Sequence, residues 1–360
     1  MTTTLTISID QLYRAQPGGI GTYVRGLVQG LGELDDGSLE VLGLAPRGAA
    51  SNDVQRLGLR RVSARVPVSL LTRVWPTWPV GVPRRSTIVH ATSMAGPFAG
   101  GRRECVHSVA MHDMLWRDEP SATTPAGIRF HERRLDLIRS RDELRVFTSS
   151  PGLDDRLVEA GIDRARLHPV RLGVDDDGVE PVDAAAVATL LADHDVVGPF
   201  TLYVGTREPR KNLERLIEAH TRARASGAAL GPLVLVGPGG WGEVDSADAM
   251  VLGLVPRAVL KGLYRDATLF AYVPRAEGWG LPPVEALYAG TRVVASSTTP
   301  SVRDNAEVVI VDPLDVDSIA HGLSVAVASG EDEAARRRRR GSVAHLTWRN
   351  VALDHMAGWR

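Results

Sequence analysis

The sequence of 360 residues has few of the features that mark secreted or membrane-spanning proteins. Its only cysteine, Cys105, excludes an intramolecular disulfide and fits a reducing compartment. No run approaches the roughly 18 apolar residues that a spanning helix needs, and the first residues have neither the basic region nor the apolar core of a signal peptide. The net charge of −1 gives no general reason to expect nucleic-acid binding. We expect a cytoplasmic protein, with peripheral contact at the inner face of the membrane left open.

Several motifs of metal-dependent and covalent catalysis are also missing. No His/Cys cluster has metal-ligand spacing, and no G-x-S-x-G nucleophile turn is present. Gly18-Gly-Ile-Gly21 lacks both a Walker lysine and the spacing of the dinucleotide fingerprint, which makes an NAD dehydrogenase the weaker interpretation. Asp175-Asp-Asp177 and Asp315-Val-Asp317 match a pattern by which some enzymes hold a metal, but we interpret both as turn or cap residues. We therefore predict neither a metal nor a cofactor.

Short apolar runs alternate with helical patterns along the chain, which is typical of parallel sheets in α/β proteins. Two series of strands are predicted, at 5–9, 39–44, 87–90, 106–111 and 144–148, and then at 201–204, 233–236, 269–273 and 292–295. The segment 172–181 between them is rich in Asp, Gly and Pro, as linkers are. We predict an N-terminal domain at 1–172, a C-terminal domain at 173–345, and a last helix at 346–360.

Two carboxylates eight positions apart bracket a Gly-x-Gly loop in Glu277-Gly-Trp-Gly-Leu-Pro-Pro-Val-Glu285. A buried strand precedes Glu277, and a helix begins before Glu285. Ligands of open α/β sheets bind at the carboxyl ends of strands, and helix N-termini favour anions. The segment is therefore a candidate site for a polar ligand that carries phosphate.

A second charged segment, Gly205-Thr-Arg-Glu-Pro-Arg-Lys-Asn212, follows the first strand of the second series. Arg207, Arg210 and Lys211 supply cations that suit phosphate, and Asn212 is a predicted N-cap of the next helix. The alternative is a solvated turn with incidental charge. Because the Glu277 segment follows a strand of the same domain, we favour a shared binding site.

Three weaker signals lie elsewhere. His112 follows a predicted strand and is a candidate functional residue. The segment 66–85 combines Trp75 and Trp78 with arginines, which suits a membrane interface or an acceptor surface, or simply a loop that covers the core. The five arginines at 336–340 are interpreted as a solvated helix face, with an anion- or membrane-binding role as the alternative.

Taken in order, the motifs resemble those of the retaining glycosyltransferases of family 4, which have the GT-B fold. The resemblance runs from about residue 5 to residue 320 and is carried by Gly18-Gly-Ile-Gly-Thr-Tyr-Val24, His112-Asp113, Val204 to Asn212, Trp241-Gly242 and the Glu277–Glu285 segment. It is closest to the bacterial mannosyltransferase-like branch, which builds cell-surface polysaccharides and glycolipids. Thr347-Trp348-Arg349 resembles the last helix of the family, which returns to the N-terminal domain. Ser301 to Glu307 departs from the pattern, because it is shorter and lacks the Pro-Glu of the family.

The resemblance implies two Rossmann-like domains with a cleft between them, and a nucleotide sugar held mainly by the second domain. By position, Glu277 would contact the donor-sugar hydroxyls, and Glu285 the ribose. Lys211 with Arg207 or Arg210 would hold the diphosphate. His112 would face the donor sugar from the N-terminal domain. The backbone positions expected near the sugar and the phosphates are Gly19, Gly205, Gly278, Trp279, Gly280 and Leu281.

The resemblance implies transfer of a hexose, first of all mannose from GDP-mannose, to a hydroxyl of a lipid-linked, saccharide or small-molecule acceptor, without a metal. UDP- and dTDP-sugars stay open as donors. The alternatives are another GT-B enzyme, such as a nucleotide-sugar epimerase or hydrolase, or a binding protein without turnover. Loss of Glu277 or of the basic pair would indicate the binding protein, and both are present.

Overall fold

The computed structural model describes residues 3–48, 52–174, 182–240 and 248–360. It divides into two compact units. The first comprises Met1–Arg117, Thr123–Gly173 and Leu346–Arg360, and the second comprises Asp118–Ala122 and Val174–His345. The last helix of the chain therefore belongs to the first unit.

The first unit contains a sheet of seven strands: β1 (Thr3–Ser8), β2 (Leu39–Ala45), β3 (Arg60–Ser63), β4 (Ile88–Ala91), β5 (Val106–Met111), β6 (Arg145–Thr148) and β7 (Leu167–Pro169). The spatial order is β3-β2-β1-β4-β5-β6-β7, and every neighbouring pair is parallel. The direction of winding reverses between β1 and β4. Such a switch point opens a crevice at the carboxyl ends of the two strands, where ligands bind in this architecture.

Helices lie in the connections of this sheet: α1 (Gly18–Leu34), α2 (Asn52–Arg56), α3 (Val68–Val74), α4 (Leu115–Asp118), α5 (Pro125–Arg139) and α6 (Pro151–Glu159). The glycine-rich segment 18–21 forms the first turn of α1, which begins at Gly18. Gly18 has φ 60°, a left-handed conformation that favours glycine.

The second unit has a sheet of six parallel strands: β8 (Thr201–Val204), β9 (Leu233–Val236), β10 (Met250–Gly253), β11 (Leu269–Tyr272), β12 (Arg292–Ser296) and β13 (Val308–Val311). Its helices are α7 (Ala184–Asp193), α8 (Leu213–Ala225), α9 (Arg257–Asp266), α10 (Leu281–Tyr288), α11 (Val316–Ala328) and α12 (Glu333–Val343). The order is β10-β9-β8-β11-β12-β13, so the switch point lies between β8 and β11. The predicted pair of parallel α/β sheets is confirmed.

The predicted strands and the missed strands differ in their place in the sheets. β9 and β11 are buried at every residue, which explains their continuous apolar runs. The four strands that the sequence analysis missed, β3, β7, β10 and β13, are the four outer strands of the two sheets. An edge strand is covered on fewer sides, so its sequence need not be apolar; β3 reads Arg-Arg-Val-Ser and is largely exposed.

The last helix, α13 (Trp348–Trp359), packs against α1 within the first unit. A Cβ atom at Gly26 would collide with the indole of Trp348, and one at Gly30 with its backbone carbonyl. These two glycines therefore allow the close approach of the helices.

A buried chain of hydrogen bonds joins α13 to the strands beneath it. His355 Nδ1 contacts the carbonyl of Val351 at 2.8 Å, so Nδ1 carries the proton and Nε2 accepts from the Tyr23 hydroxyl at 2.7 Å. Tyr23 has then used its only proton, and His90 Nε2 must donate to it at 2.7 Å.

The same reasoning fixes the other end of the chain. His90 Nδ1 must accept, and it receives the Ser108 hydroxyl at 2.8 Å. Ser108 in turn accepts from the indole of Trp359 at 2.9 Å. Each of the two histidines is thus neutral, with one assigned tautomer, and burial lowers the pKa of both.

This arrangement predicts acid sensitivity. Burial lowers the pKa of His355 to about 4 from an ordinary value of 6.5. Between those values the unfolded chain binds a proton that the folded chain rejects. The free energy of unfolding should therefore fall as the pH drops from 6.5 towards 4, by about 1.4 kcal/mol per pH unit for each such group. Urea unfolding measured across this range tests the slope.

His355→Gln should lower the free energy of unfolding at neutral pH. It should also reduce the dependence of that free energy on pH by the contribution of one titrating group. The matched control is His345→Gln, because His345 is exposed just before α13. Equal slopes for His355→Gln and the wild type would contradict the assignment.

Candidate active site

The two charged segments of the second unit meet at its switch point. The segment after β8 carries Lys211, and the segment after β11 carries Glu277. Lys211 donates to Glu277 Oε2 at 2.5 Å, and Arg210 donates to the same oxygen at 3.2 Å. The Tyr272 hydroxyl, at the end of β11, is the third donor to this oxygen, at 2.6 Å.

Glu277 is therefore a buried carboxylate with two cations on one oxygen. Burial alone would raise its pKa, but the charges of Lys211 and Arg210 outweigh burial and lower the pKa to about 2. Its other oxygen, Oε1, accepts only a long bond of 3.3 Å from the backbone N–H of Gly278 among the described residues. One oxygen is held by the protein, and the other is left with capacity for a ligand hydroxyl.

Lys211 is also shared between partners, since its ammonium donates to the Tyr272 hydroxyl at 2.6 Å as well as to Glu277. Burial lowers the pKa of Lys211, whereas Glu277 raises it. Three short contacts among Lys211, Tyr272 and Glu277 support an ion pair, because a neutral amine would leave the carboxylate with less compensation. The sequence analysis missed Tyr272, whose only signal was its position as the last residue of a buried strand.

The backbone around the cluster is fixed by side chains that bond to strand ends. Asn212 has left-handed dihedral angles, φ 62° and ψ 33°. Asn212 is the N-cap residue of α8, as predicted, but its side chain makes no capping bond: the amide donates instead to the carbonyls of Val273 and Pro313, at 2.9 and 2.7 Å. It thereby ties the Lys211 turn to the ends of β11 and β13.

The Gly-x-Gly loop closes on the segment that departs from the family pattern. Gly280 has φ 95°, and a Cβ there would lie 2.6 Å from Thr299 Cγ2, so glycine is required. The Ser301 hydroxyl donates to the Gly280 carbonyl at 2.6 Å, and the Ser301 N–H donates to the Trp279 carbonyl at 3.0 Å. Leu281 is the first residue of α10.

The remaining predicted donor-site residues lie around this cluster. Glu285 lies within α10 and accepts from the Tyr264 hydroxyl at 2.8 Å. Gly205 packs directly against the Tyr203 side chain: a Cβ at Gly205 would lie 2.6 Å from the Tyr203 hydroxyl. Arg210 is engaged with Glu208 at 2.5 Å, whereas Arg207 makes no ion pair with a described residue. Arg207 therefore has the freer guanidinium, and Arg210 is already bonded to the carboxylates.

The first unit places His112 next to its own switch point. His112 follows β5, and its Nε2 contacts the carbonyl of Thr92, just after β4, at 2.9 Å. That contact assigns the proton to Nε2 and leaves the lone pair on Nδ1. Burial lowers the pKa of His112, and its ring lies edge-on to Tyr23 at 5.0 Å. Gly19 is exposed, with open space where a Cβ would be.

Asp10 is a second buried carboxyl that the sequence analysis missed. It follows β1 at the same switch point and is 1% exposed. Neither of its oxygens has a hydrogen-bond partner among the described residues. Burial raises its pKa. The signal in the sequence was an acidic residue directly after an apolar strand and ahead of a glycine-rich helix.

Other predicted features have structural roles or fall outside the described residues. Trp241-Gly242 and Asp175-Asp-Asp177 lie outside them. Asp315 caps α11 by accepting from the N–H groups of Asp317 and Ser318, which confirms the cap interpretation. In the described part of the chain no cluster of three or more His, Cys, Asp or Glu residues could hold a metal.

The interpretation of residues 336–340 as a solvated face is wrong in part. Arg339 is buried and bonds to the Gly290 carbonyl and to Glu331, and Arg336 donates to the Ala289 carbonyl. These arginines satisfy carbonyls at the end of α10, which helix C-termini leave without internal partners.

Comparison with known proteins gives a family match that lies within the second unit. A family model described as "Glycosyl transferases group 1" matches residues 193–341. O-antigen chain mannosyltransferase B of Escherichia coli is 36% identical over 175 residues, which is 45% of this chain and 45% of that protein. D-inositol 3-phosphate glycosyltransferase of Nocardia farcinica is 32% identical over 222 residues, 55% of this chain and 48% of that protein. The chain thus aligns with about half the length of these curated relatives.

Solved structures match over nearly the whole chain. The Anabaena protein HepE in complex with UDP and glucose superposes with a TM-score of 0.69 at 15% identity, covering 99% of this chain and 98% of HepE. Sucrose-phosphate synthase from Thermosynechococcus elongatus gives 0.71 at 17% identity, with the same coverage. The two parallel sheets therefore have the GT-B fold. The family model and the mannosyltransferase relatives confirm the resemblance to family 4 glycosyltransferases that the motifs indicated.

The lone carboxyl of Asp10 gives a stability prediction. Because its pKa in the folded state is raised above 3.8, the folded chain holds a proton that the unfolded chain releases, and stability falls as the pH rises through that window. Asp10→Asn should raise the free energy of unfolding by about 1–3 kcal/mol at neutral pH, with the gain disappearing near pH 4. Asp193→Asn, at an exposed position, is the control. A loss of stability at neutral pH would show that Asp10 is ionised and compensated.

Proposed function

We propose that this protein transfers a hexose from a nucleotide diphosphate sugar to an acceptor hydroxyl, with retention of the anomeric configuration. The observation that carries the proposal is the Glu277 cluster at the switch point of the second unit, inside the region that matches group 1 glycosyl transferases. An oriented carboxylate beside clustered cations can hold a neutral polyol and an anionic diphosphate next to each other.

In the proposed complex Glu277 binds donor-sugar hydroxyls through Oε1, the oxygen with spare capacity. Lys211, with Arg207 or Arg210, faces the diphosphate. Breaking the sugar–phosphate bond builds negative charge on the phosphate and positive charge on the sugar. The cations stabilise the negative charge on the phosphate, and the carboxylate stabilises the positive charge on the sugar. In the proposed reaction the charged side chains thus supply the stabilisation that a metal ion supplies in other enzymes.

For retention we propose a same-face reaction. The acceptor oxygen bonds to the anomeric carbon on the face that the phosphate leaves, and the departing phosphate oxygen takes the acceptor proton. Glu277 is then an electrostatic and binding residue rather than a nucleophile, in keeping with its lowered pKa and its three donors on Oε2. His112, with a lone pair on Nδ1, is a proposed hydrogen-bond acceptor for a sugar hydroxyl.

Mannose from GDP-mannose is the donor that we propose first. It is supported by the mannosyltransferase relatives, O-antigen chain mannosyltransferase B and the serotype-specific mannosyltransferase WbdA of Escherichia coli, the second being 28% identical over 232 residues. HepE in its UDP complex supports a uridine nucleotide as the next candidate. The acceptor that we propose is a saccharide or lipid-linked saccharide of glycolipid or polysaccharide biosynthesis, handled on the cytoplasmic side.

Nucleotide binding can be tested without an acceptor. A ligand that binds the folded state raises its stability by RT ln(1 + [L]/Kd), about 2.7 kcal/mol at a hundredfold excess over Kd. GDP should therefore raise the Tm by several degrees, whereas dTDP and ADP should raise it less. Lys211→Ala should lose most of the GDP shift. No shift with GDP, UDP or dTDP would contradict the proposed donor class.

The transfer step depends on the same cluster. Glu277→Gln and Lys211→Ala should each lower kcat about a hundredfold or more, because each removes charge stabilisation in the transition state. NMR of the reaction with GDP-mannose and a mannoside acceptor measures the rate and the anomeric configuration of the product. Glu218→Gln, exposed on α8, is the matched control and should keep full activity. Undiminished transfer by either site variant would overturn the assignment.

A further inference from the structure

The first unit has a long stretch with charge of one sign. From residue 54 to residue 103 the sequence contains nine arginines and no acidic residue, although the net charge of the whole chain is −1. Two of the nine, Arg60 and Arg85, pair with Glu40 from outside the stretch. The remaining positive charge includes Arg65, Arg73 and Arg84, all exposed. Such a surface attracts anions in general.

At the centre of this stretch, α3 and the turn after it carry two apolar stripes. The N–H of Trp78 bonds to the Val74 carbonyl at 2.8 Å, so helical geometry continues past the end of α3. The first stripe, Leu71 and Trp75, is fully buried, and the Trp75 indole donates to the Val80 carbonyl. For Trp75 this agrees with the interpretation of the segment as a loop that covers the core.

The second stripe faces outward. Leu70, Val74 and Trp78 are spaced at i, i+4 and i+8 and share one side of the helix. Leu70 is 49% exposed and Trp78 is 70% exposed. An exposed apolar stripe of this kind is typical of an interaction site when it is contiguous and bordered by polar residues. Arg73 borders the stripe on the same helix. Arg65 is brought near it by its neighbour Ala64, which packs against Gly81 in the loop after Trp78: a Cβ at Gly81 would lie 2.6 Å from the Ala64 Cα.

The stripe is held rigidly. Arg134, within α5, donates to the backbone carbonyl of Thr72. Arg141, just after α5, donates to the backbone carbonyl of Pro76. Arg141 also donates to the Phe98 carbonyl at 2.9 Å. Because these bonds and the buried Trp75 anchor the backbone, Trp78 is presented outward on a fixed support.

We propose that the α3 surface, formed by Leu70, Val74 and Trp78 with Arg65 and Arg73, docks on an anionic phospholipid bilayer. Tryptophan has an apolar ring and a polar N–H, which suits the headgroup level of a bilayer, and arginines beside it pair with lipid phosphates. The apolar stripe lies on a helix surface rather than in a groove, so it fits a planar partner. The charge of one sign selects anionic lipid. This interaction goes beyond the proposed transfer reaction and does not depend on it.

Vesicle binding tests the inference. The full chain is sedimented with vesicles of phosphatidylcholine alone and with vesicles enriched in phosphatidylglycerol. The wild type should bind the phosphatidylglycerol vesicles, and binding should weaken as salt is raised, because exposed charges are screened over about 10 Å at 0.1 M. Trp78→Ser and Arg73→Gln should each weaken binding, Trp78→Ser by about tenfold or more, because the ring no longer leaves water.

Matched controls are Leu254→Ser, a 68% exposed leucine of the second unit, and Arg337→Gln, an exposed arginine on α12. Both should bind vesicles like the wild type. Thermal unfolding of all variants should match the wild type, since only exposed side chains change. Transfer to a soluble mannoside should also be unchanged in Trp78→Ser, so a failure of the proposed reaction would leave the vesicle result intact.

Two outcomes would overturn the inference. The first is that the wild type does not bind the phosphatidylglycerol vesicles. The second is that Trp78→Ser binds them as well as the wild type; if this variant also loses transfer to a soluble mannoside, the α3 surface is an acceptor site instead.

Discussion

The site depends on one constraint: a carboxylate buried at a strand end has to be compensated. Without Lys211 and Arg210, burial would raise the pKa of Glu277 and oppose its charge. The two cations are held in turn by the carboxylates and by Tyr272, so each charge fixes the place of the others. The cluster therefore presents cations that are already oriented and largely removed from water, which is how a preorganised site strengthens electrostatic interactions.

Both units carry ionisable side chains at the carboxyl ends of strands near the switch point of the sheet, but these side chains differ in chemistry. Lys211 and Glu277 follow the two switch-point strands of the second unit, whereas in the first unit Asp10 follows β1 and His112 follows β5, the neighbour of β4. The second unit compensates its carboxylate fully. The first unit leaves Asp10 without a hydrogen bond among the described residues and keeps His112 neutral. The second unit therefore presents fixed charges at its switch point, whereas in the first unit burial opposes the charge of both Asp10 and His112.

Much of this could be predicted from the sequence, and the failures have physical causes. The inner strands and the Glu277 and Lys211 segments were predicted because burial on both faces and charge at strand ends leave local patterns. The edge strands were missed because partial exposure leaves none. Tyr272, Asp10 and the amide of Asn212 were missed because their roles depend on residues far away in sequence, such as Pro313 for Asn212. The same limit applies to Arg339, whose partner Gly290 lies in a different element.

The placement of α13 has a consequence for how the chain is made. Its contacts with Gly26 and Tyr23 are part of the core of the first unit, yet the whole second unit lies between them in sequence. On the ribosome, domains generally fold as units in the order in which they emerge. Here the first unit can complete its core, including the contact of Trp348 with Gly26, only after residues 346–360 have left the ribosome. The second unit, all of whose residues precede α13, can complete its sheet earlier, so the unit that begins first in sequence is the one that finishes folding last.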